Sequence, residues 1–231
     1  VIPTCGRFTI TVTIGLPERF GVAGTEVQIE PRYNIAPSQS VPVIFFEEEG
    51  GRLMAEMVWG LVPHWAREPA VVRRSINARC ESLAERPSFR DPLKYTRCLV
   101  PVNGFYEWKK AGKTAYPYYI HRKDNRLMAI AGLYDIWKAH DGRTLRTFTI
   151  ITTEPNSLVS CYHDRMPALL REEDESRWLE PGRIPAGTLR ELLKPYPAEL
   201  LEAYRVSGRV NDPSAEGEDL VRRIPDGTLL V

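Results

Sequence analysis

An excess of charge of either sign is missing from this sequence: 31 lysines and arginines stand against 30 aspartates and glutamates, a formal net charge of +1. Bulk charge therefore argues neither for nor against a nucleic-acid partner, and any DNA surface has to be a local arrangement of cations. No Cys-x-x-Cys pair occurs among the four cysteines Cys5, Cys80, Cys98 and Cys161, which removes the usual zinc-knuckle spacing, so no metal site is expected. No apolar run approaches the roughly 18–20 residues that span a bilayer, and no basic segment followed by an apolar one marks secretion. A cytoplasmic chain with reduced thiols and no membrane contact is the expectation. Internal repeats, low-complexity tracts and long linkers are also missing.

What is present describes a folded chain. The 231 residues, 43% hydrophobic and 26% charged, suffice for a sizeable core in one large domain or two small ones. The 19 prolines are spread along the chain; with many short apolar runs they argue for short strands and ordered loops over long helices. Phe8–Ile14 alternates apolar residues with threonine, the period of a half-buried strand. Val41–Phe46 and Leu53–Trp59 read as a strand pair joined through Glu47–Gly51. Further strands are predicted at Cys98–Val102, Phe105–Lys109, Tyr116–His121, Leu127–Leu133 and Arg146–Thr152. Helical signals are fewer: a short turn at Pro17–Phe20, a capped start at Thr153–Asn156 leading into Ser157–Cys161, an amphipathic Glu172–Leu179, and Thr188–Leu193. Regular βαβ alternation is absent. The expected class is α+β, mainly antiparallel strands in a barrel-like core with peripheral helices.

Six segments have compositions that suit chemistry, and most have a structural reading beside it. In Cys5-Gly6-Arg7-Phe8 the glycine lets a substrate approach the thiol, and the arginine could lower the thiol pKa or hold a phosphate; a small buried cysteine is the plainer reading. Arg32–Ser38, which contains Asn34, suits an ordered turn. Trp59–Trp65 is a rigid loop whose Trp65, if exposed, stacks on a base for about 1–3 kcal/mol; two core aromatics are the alternative, and His64 reads as a surface residue. In Ser75–Glu81, Asn77 and Arg79 share a face if the segment is extended, offering an amide to a reacting group and a guanidinium to a phosphate. An Arg79–Glu81 ion pair competes with that reading, with Cys80 then turned towards the core. In Pro101–Trp108, alternation puts Phe105, Glu107 and Lys109 on one face and Tyr106 and Trp108 on the other. Aromatic surroundings would desolvate the Glu107 carboxyl and raise its pKa, which suits a general acid/base; a Glu paired with arginine is the other option. His163–Pro167 holds a histidine able to shuttle protons near neutrality, or a capping one.

In chain order, Cys5-Gly6-Arg7-Phe8, Tyr33-Asn34-x-Ala36-Pro37, Trp59-Gly60-x-x-Pro63-x-Trp65, Asn77-Ala78-Arg79-x-Glu81, Gly104-Phe105-Tyr106-Glu107-Trp108 and His163-x-Arg165-x-Pro167 resemble the pattern of the SRAP family, the SOS response-associated peptidase-like proteins. Val206-Ser207-x-x-Val210-Asn211 is similar to the family's late element, so the resemblance runs from Cys5 to about Asn211. It implies an enzyme of the DNA damage response that captures abasic sites in single-stranded DNA. The α-amine and thiol of an N-terminal cysteine close a thiazolidine on the ring-opened sugar aldehyde. Carried over by motif, Cys5 is the nucleophile, Asn77 orients the amine or sugar, Glu107 moves protons at the sugar, and His163 assists Schiff-base chemistry or crosslink reversal. Arg7, Arg79 and Arg165 hold phosphates or the sugar, Trp65 supports a neighbouring base, and Asn34 braces the site. No metal or organic cofactor is implied, and a monomer bound to single-stranded DNA is expected.

Val1-Ile2-Pro3-Thr4 departs from that pattern. While they precede Cys5 its nitrogen is an amide, and no thiazolidine can form. The expectation is a leader at residues 1–4, lost by self-cleavage or foreign to the natural start, ahead of one SRAP-like domain over residues 5–231. A cysteine-type peptidase using Cys5, Glu107 and His163, or a non-catalytic single-stranded DNA-binding module, are the competing functions.

Overall fold

The computed structural model describes residues 5–23, 25, 27–47, 49–67, 75–139 and 141–225; the leader Val1–Thr4 lies outside the described residues. Thirteen strands carry the fold: β1 Phe8–Ile10, β2 Arg32–Ile35, β3 Ser40–Glu47, β4 Gly51–Trp59, β5 Asn77–Arg79, β6 Arg97–Val102, β7 Gly104–Ala111, β8 Thr114–Arg122, β9 Met128–Lys138, β10 Thr144–Thr153, β11 Met166–Pro167, β12 Leu169–Leu170 and β13 Leu201–Arg205. Five of them close on themselves. β3 pairs with β4, β4 with β10, β10 with β9, β9 with β6, and β6 returns to β3. All but the short β4–β10 contact are antiparallel. The expected barrel-like core is therefore a closed five-stranded barrel, with edges removed by closure. The other five-stranded sheet runs in the order β13-β8-β7-β1-β2. Helices are short and peripheral, the longest spanning Ala186–Leu192, and among the described residues none is long and apolar enough to cross a membrane.

The two sheets meet at Asn103, the single residue between β6 and β7. Its N–H donates to the Thr9 carbonyl (2.9 Å), and its Oδ1 accepts from the N–H groups of Thr11 (2.6 Å) and Val12 (3.0 Å). That side chain takes the place of a strand partner, which is why the alternation predicted as far as Ile14 stops at Ile10. The predicted strands over 41–46, 53–59, 98–102, 105–109, 116–121 and 146–152 all form, each a residue or more longer. The predicted 127–133 strand is Met128–Lys138.

Five short strands did not emerge as strand predictions: β2, read as a turn, β5, β11, β12 and β13. Each is held by long-range pairing, β13 for instance pairing over its whole length with β8 from Arg122 to Tyr118, and so leaves little periodic signal of its own.

Gly104 opens β7 where no side chain fits. A Cβ there would lie 2.5 Å from the Tyr119 ring and 2.7 Å from the Ile120 carbonyl oxygen. The Tyr119 hydroxyl is itself fixed 2.8 Å from Thr9 Oγ1. Gly104→Ala should therefore cost about 1–3 kcal/mol through overpacking. Gly187→Ala, in the helix Ala186–Leu192 with nothing within 4 Å, should gain up to about 1 kcal/mol. Urea denaturation of both variants checks the opposite signs.

Candidate functional site: a cysteine and a carboxyl behind a cationic pocket

Phe8 stands opposite Phe105 and Thr9 opposite Gly104. Continued two residues outward, that antiparallel register brings the Cys5–Gly6 backbone over Glu107. The Cys5 nitrogen donates to Glu107 Oε1 at 2.8 Å, and the same carboxyl lies close enough to the Cys5 thiol for the two groups to shift each other's pKa. Both residues are 2% exposed. The alternation of β7 holds as expected. Phe105 enters the main core, while Tyr106 and Trp108 enter a second one with Tyr119, Val206, Val210 and Leu220.

Burial sets the electrostatics of the pair. Desolvation pushes the Glu107 carboxyl up to about 7, against the lowering effect of its hydrogen bonds from Cys5. Both protonation states are thus populated at neutral pH, which suits a proton donor and acceptor. The Cys5 thiol is pushed well above its usual range, first by burial and then by the Glu107 carboxylate, with Arg165 opposing. This corrects the expectation that Arg7 lowers the thiol pKa. The arginine acting on Cys5 comes from the far end of the chain, and the net direction is upward.

Strand β10 assembles the opposite wall. Its Thr152 has Arg79 of β5 on one side and Pro167 of β11 on the other. Arg79 and Arg165, distant in sequence, therefore flank one strand end. Tyr162 packs on Tyr118, the residue opposite Glu107, with ring centres 4.6 Å apart, and this sets the His163–Arg165 segment against β7–β8. The result is a cavity of about 620 Å3 lined by Arg79, Trp108, Lys109, Lys110, Ser160, Cys161, Tyr162, His163, Asp164 and Arg165. Its four Lys/Arg side chains face one carboxylate, the local cation excess that net charge could not reveal. A larger hollow of about 830 Å3, bounded by Val22, Phe45, Leu53 and Met54, has no cysteine or histidine in its lining, so size does not identify the chemistry here.

Each remaining sequence candidate has a definite place. His163 Nδ1 accepts the Arg165 N–H (3.1 Å) and lies 2.8 Å from Asp164 Oδ1. Burial lowers its pKa despite that carboxylate and so favours the neutral ring. Arg165 forks onto Glu81 at 2.6 and 3.0 Å and donates to the Thr152 carbonyl at 2.7 Å. Glu81 thus pairs with Arg165 and not with Arg79, which is exposed on the pocket wall. Asn77 is half-buried on β5 opposite Ile150. Trp65 is 57% exposed, on a loop pinned to β9 by His64 N–H to Asp135 (2.8 Å) and by Trp137 Nε1 to the Ala66 carbonyl (2.7 Å). Asp135 lies opposite Thr147, five residues along β10 from Thr152, or about 16 Å. Trp65 therefore stands apart from the pocket.

Arg7, expected to hold a phosphate or the sugar, is buried beside Asn34. Arg7 is 8% exposed and Asn34 fully buried. Arg7 Nη1 donates to Asn34 Oδ1 (2.8 Å) and to the Val210 carbonyl (2.6 Å), so its guanidinium is used inside the protein. The bracing role expected of Asn34 fits its position. Lys109, Lys110 and Tyr162 were not singled out as site residues. The two lysines continue β7 past its aromatic stretch, and that polar end of a buried strand was the available signal.

Comparison with known proteins agrees with this arrangement. The family model of SOS response associated peptidase (SRAP) matches residues 4–213. The chain is 42% identical over 221 residues to the abasic site processing protein YoqW of Bacillus subtilis, covering 94% of this chain and 98% of that one. It is 31% identical over 219 residues to the abasic site processing protein HMCES of Xenopus tropicalis, covering 82% and 65%. An X-ray crystal structure of a protein from Bacteroides thetaiotaomicron superposes with a TM-score of 0.86 at 30% identity, covering 96% of this chain and all of that one. A cysteine backed by a buried carboxyl, a cation-lined pocket before it and a match over nearly the whole chain lead to one assignment: this protein belongs to the SOS response associated peptidase (SRAP) family.

Proposed function

We propose that this protein processes abasic sites in single-stranded DNA by closing a thiazolidine between Cys5 and the ring-opened sugar. The observation that carries this reading is the Glu107 carboxyl, its pKa pushed up to about 7, which hydrogen-bonds the nitrogen of one cysteine and is coupled electrostatically to its sulfur. These are the two atoms an aldehyde would join. That YoqW and HMCES are abasic site processing proteins supports the same substrate.

One proton then serves two steps. The Cys5 α-amine adds to the aldehyde carbon to give a carbinolamine. Protonated Glu107 gives its proton to the departing hydroxyl, water leaves, and an iminium remains. The Cys5 sulfur attacks the iminium carbon, and the thiol proton passes to the Glu107 carboxylate. The sum is amine plus thiol plus aldehyde giving thiazolidine plus water, with Glu107 again protonated. His163 assists Schiff-base chemistry or the reverse reaction. Arg79, Lys109 and Lys110 hold phosphates at the pocket, Arg165, held by Glu81, lends its charge beside the sugar, Asn77 orients the amine or sugar, and Trp65 stacks on a base further along the strand. The chemistry requires a free α-amine, so residues 1–4 must be removed first. A cysteine-type self-cleavage before Cys5 fits the family's name.

Three outcomes are expected. An abasic single-stranded oligonucleotide gives a denaturation-resistant adduct, seen by gel, that is lost in Cys5→Ala. Reversible salt-sensitive binding with no adduct would instead favour a non-catalytic module. The intact mass of the adduct corresponds to a chain beginning at Cys5 plus the oligonucleotide minus one water, and a mass retaining Val1–Thr4 contradicts the chemistry. Finally, the crosslinking rate needs a neutral amine, whose ordinary pKa is about 7.7–8.0, together with protonated Glu107, whose pKa is about 7. The rate therefore rises with pH to a flat top between about 7 and 8 and falls above it. Glu107→Gln lowers the rate about 10²–10⁴-fold and removes the falling limb, as rate measurements across pH will show.

A further inference from the structure

Cys5 sits at φ 48°, the left-handed region that non-glycine residues occupy only at some cost. Something beyond its own backbone must hold it there, and the hydrogen bonds lead to one place. Arg7 follows Cys5 by two residues, and its guanidinium reaches the Val210 carbonyl at 2.6 Å and the Asn211 carbonyl at 3.4 Å. Asn34, which accepts from the same guanidinium, donates to the carbonyls of Asp212 (2.8 Å) and Ala215 (3.0 Å). Asn211 Oδ1 in turn accepts from Trp108 Nε1 at 2.8 Å, and Trp108 is the residue after Glu107. A circuit therefore closes, from Cys5 to Arg7, to Asn211, to Trp108, to Glu107 and back to Cys5. Its keystone is a single 3-10 turn, Gly208–Asn211, started by Ser207, whose Oγ accepts from the Arg209 N–H, and anchored by the fully buried Val210.

We infer that Arg7 is a positioning residue and not a phosphate ligand: with Asn211 it fixes the nitrogen and sulfur of Cys5 against the Glu107 carboxyl for the capture reaction. The inference deepens the function proposed above and rests on it. A phosphate would have to strip Arg7 of acceptors already in place within the protein, whereas Arg79, Lys109 and Lys110 face the pocket without any ion pair among the described residues. Lysine cannot substitute, because a compact ammonium does not span the Asn34 side chain and two carbonyls at once.

The test compares Arg7→Gln, Arg7→Lys, Asn211→Leu and Asn211→Asp with the wild-type chain. Affinity and its salt dependence are read with a single-stranded oligonucleotide carrying the unreactive tetrahydrofuran abasic analogue. The crosslinking rate is read at saturating abasic oligonucleotide. Arg7→Gln and Arg7→Lys should slow the saturated rate at least tenfold, with affinity and salt slope unchanged. Asn211→Leu should slow it several-fold, and Asn211→Asp, which keeps the acceptor for Trp108, should restore it. A salt slope reduced by about one phosphate contact in Arg7→Gln, with the saturated rate intact, overturns the inference. A DNA-free readout separates this from failure of the function itself. In the chain retaining residues 1–4, the Cys5 amide cross-peak in 1H–15N spectra should titrate with Glu107 near pH 7. That inflection should be lost or displaced in Arg7→Gln; an unchanged inflection contradicts the brace even if no adduct ever forms. Should Arg7→Gln fail to fold, the Asn211 pair decides alone, because equal rates in Asn211→Leu and Asn211→Asp contradict it.

Discussion

One buried carboxyl set against both the nitrogen and the sulfur of a single cysteine is the constraint on which the rest of this structure depends. Glu107 reaches the Cys5 nitrogen at 2.8 Å because β1 and β7 pair in one register, and that register holds because Gly104 lets Tyr119 close over the strand. A slip of one residue would turn Glu107 to the opposite face, into the aromatic cluster of Tyr106 and Trp108. The closed barrel is thus a platform. It fixes β6, and Asn103 passes that fixity to β7 within a single residue.

Such a carboxyl has a thermodynamic cost. Its folded pKa of about 7 lies above the ordinary value of 4.5. Between those two pH values the unfolded chain releases a proton that the folded chain keeps, so stability falls as pH rises through that window. The loss is complete above about pH 7 and amounts to about 3 kcal/mol, several times the net worth of an ordinary hydrogen bond. The barrel core and the second aromatic core offset it. The same burial that costs stability makes Glu107 able to both give and take a proton at neutral pH, so the site and the cost have one origin.

Much of this was legible in the sequence, for reasons that differ by residue. Glu107 was readable because strand alternation is local: Phe105, Glu107 and Lys109 must share a face whatever surrounds them. The barrel-like core was readable because most of its strands are short apolar runs bounded by turn residues, with no βαβ alternation. The burial of Arg7 was not legible because its partners Asn34 and Val210 lie 27 and 203 residues away, and nothing local distinguishes a buried guanidinium from an exposed one. Glu81 was set against Arg79, its neighbour, when its partner Arg165 lies 84 residues on. Lys109 and Lys110 were not read as site residues because they line the pocket only when the Ser160–Arg165 segment packs beside β7.

The central claim is that both the nitrogen and the sulfur of Cys5 bond one carbon of the abasic sugar. Carbon NMR of an adduct made with a sugar labelled at its anomeric carbon tests this directly. A tetrahedral carbon coupled to the 15N of Cys5 and bonded to sulfur is the predicted result. An aldehyde hydrate or hemithioacetal carbon without that nitrogen coupling, or a trigonal imine carbon coupled to nitrogen but not bonded to sulfur, would contradict the account.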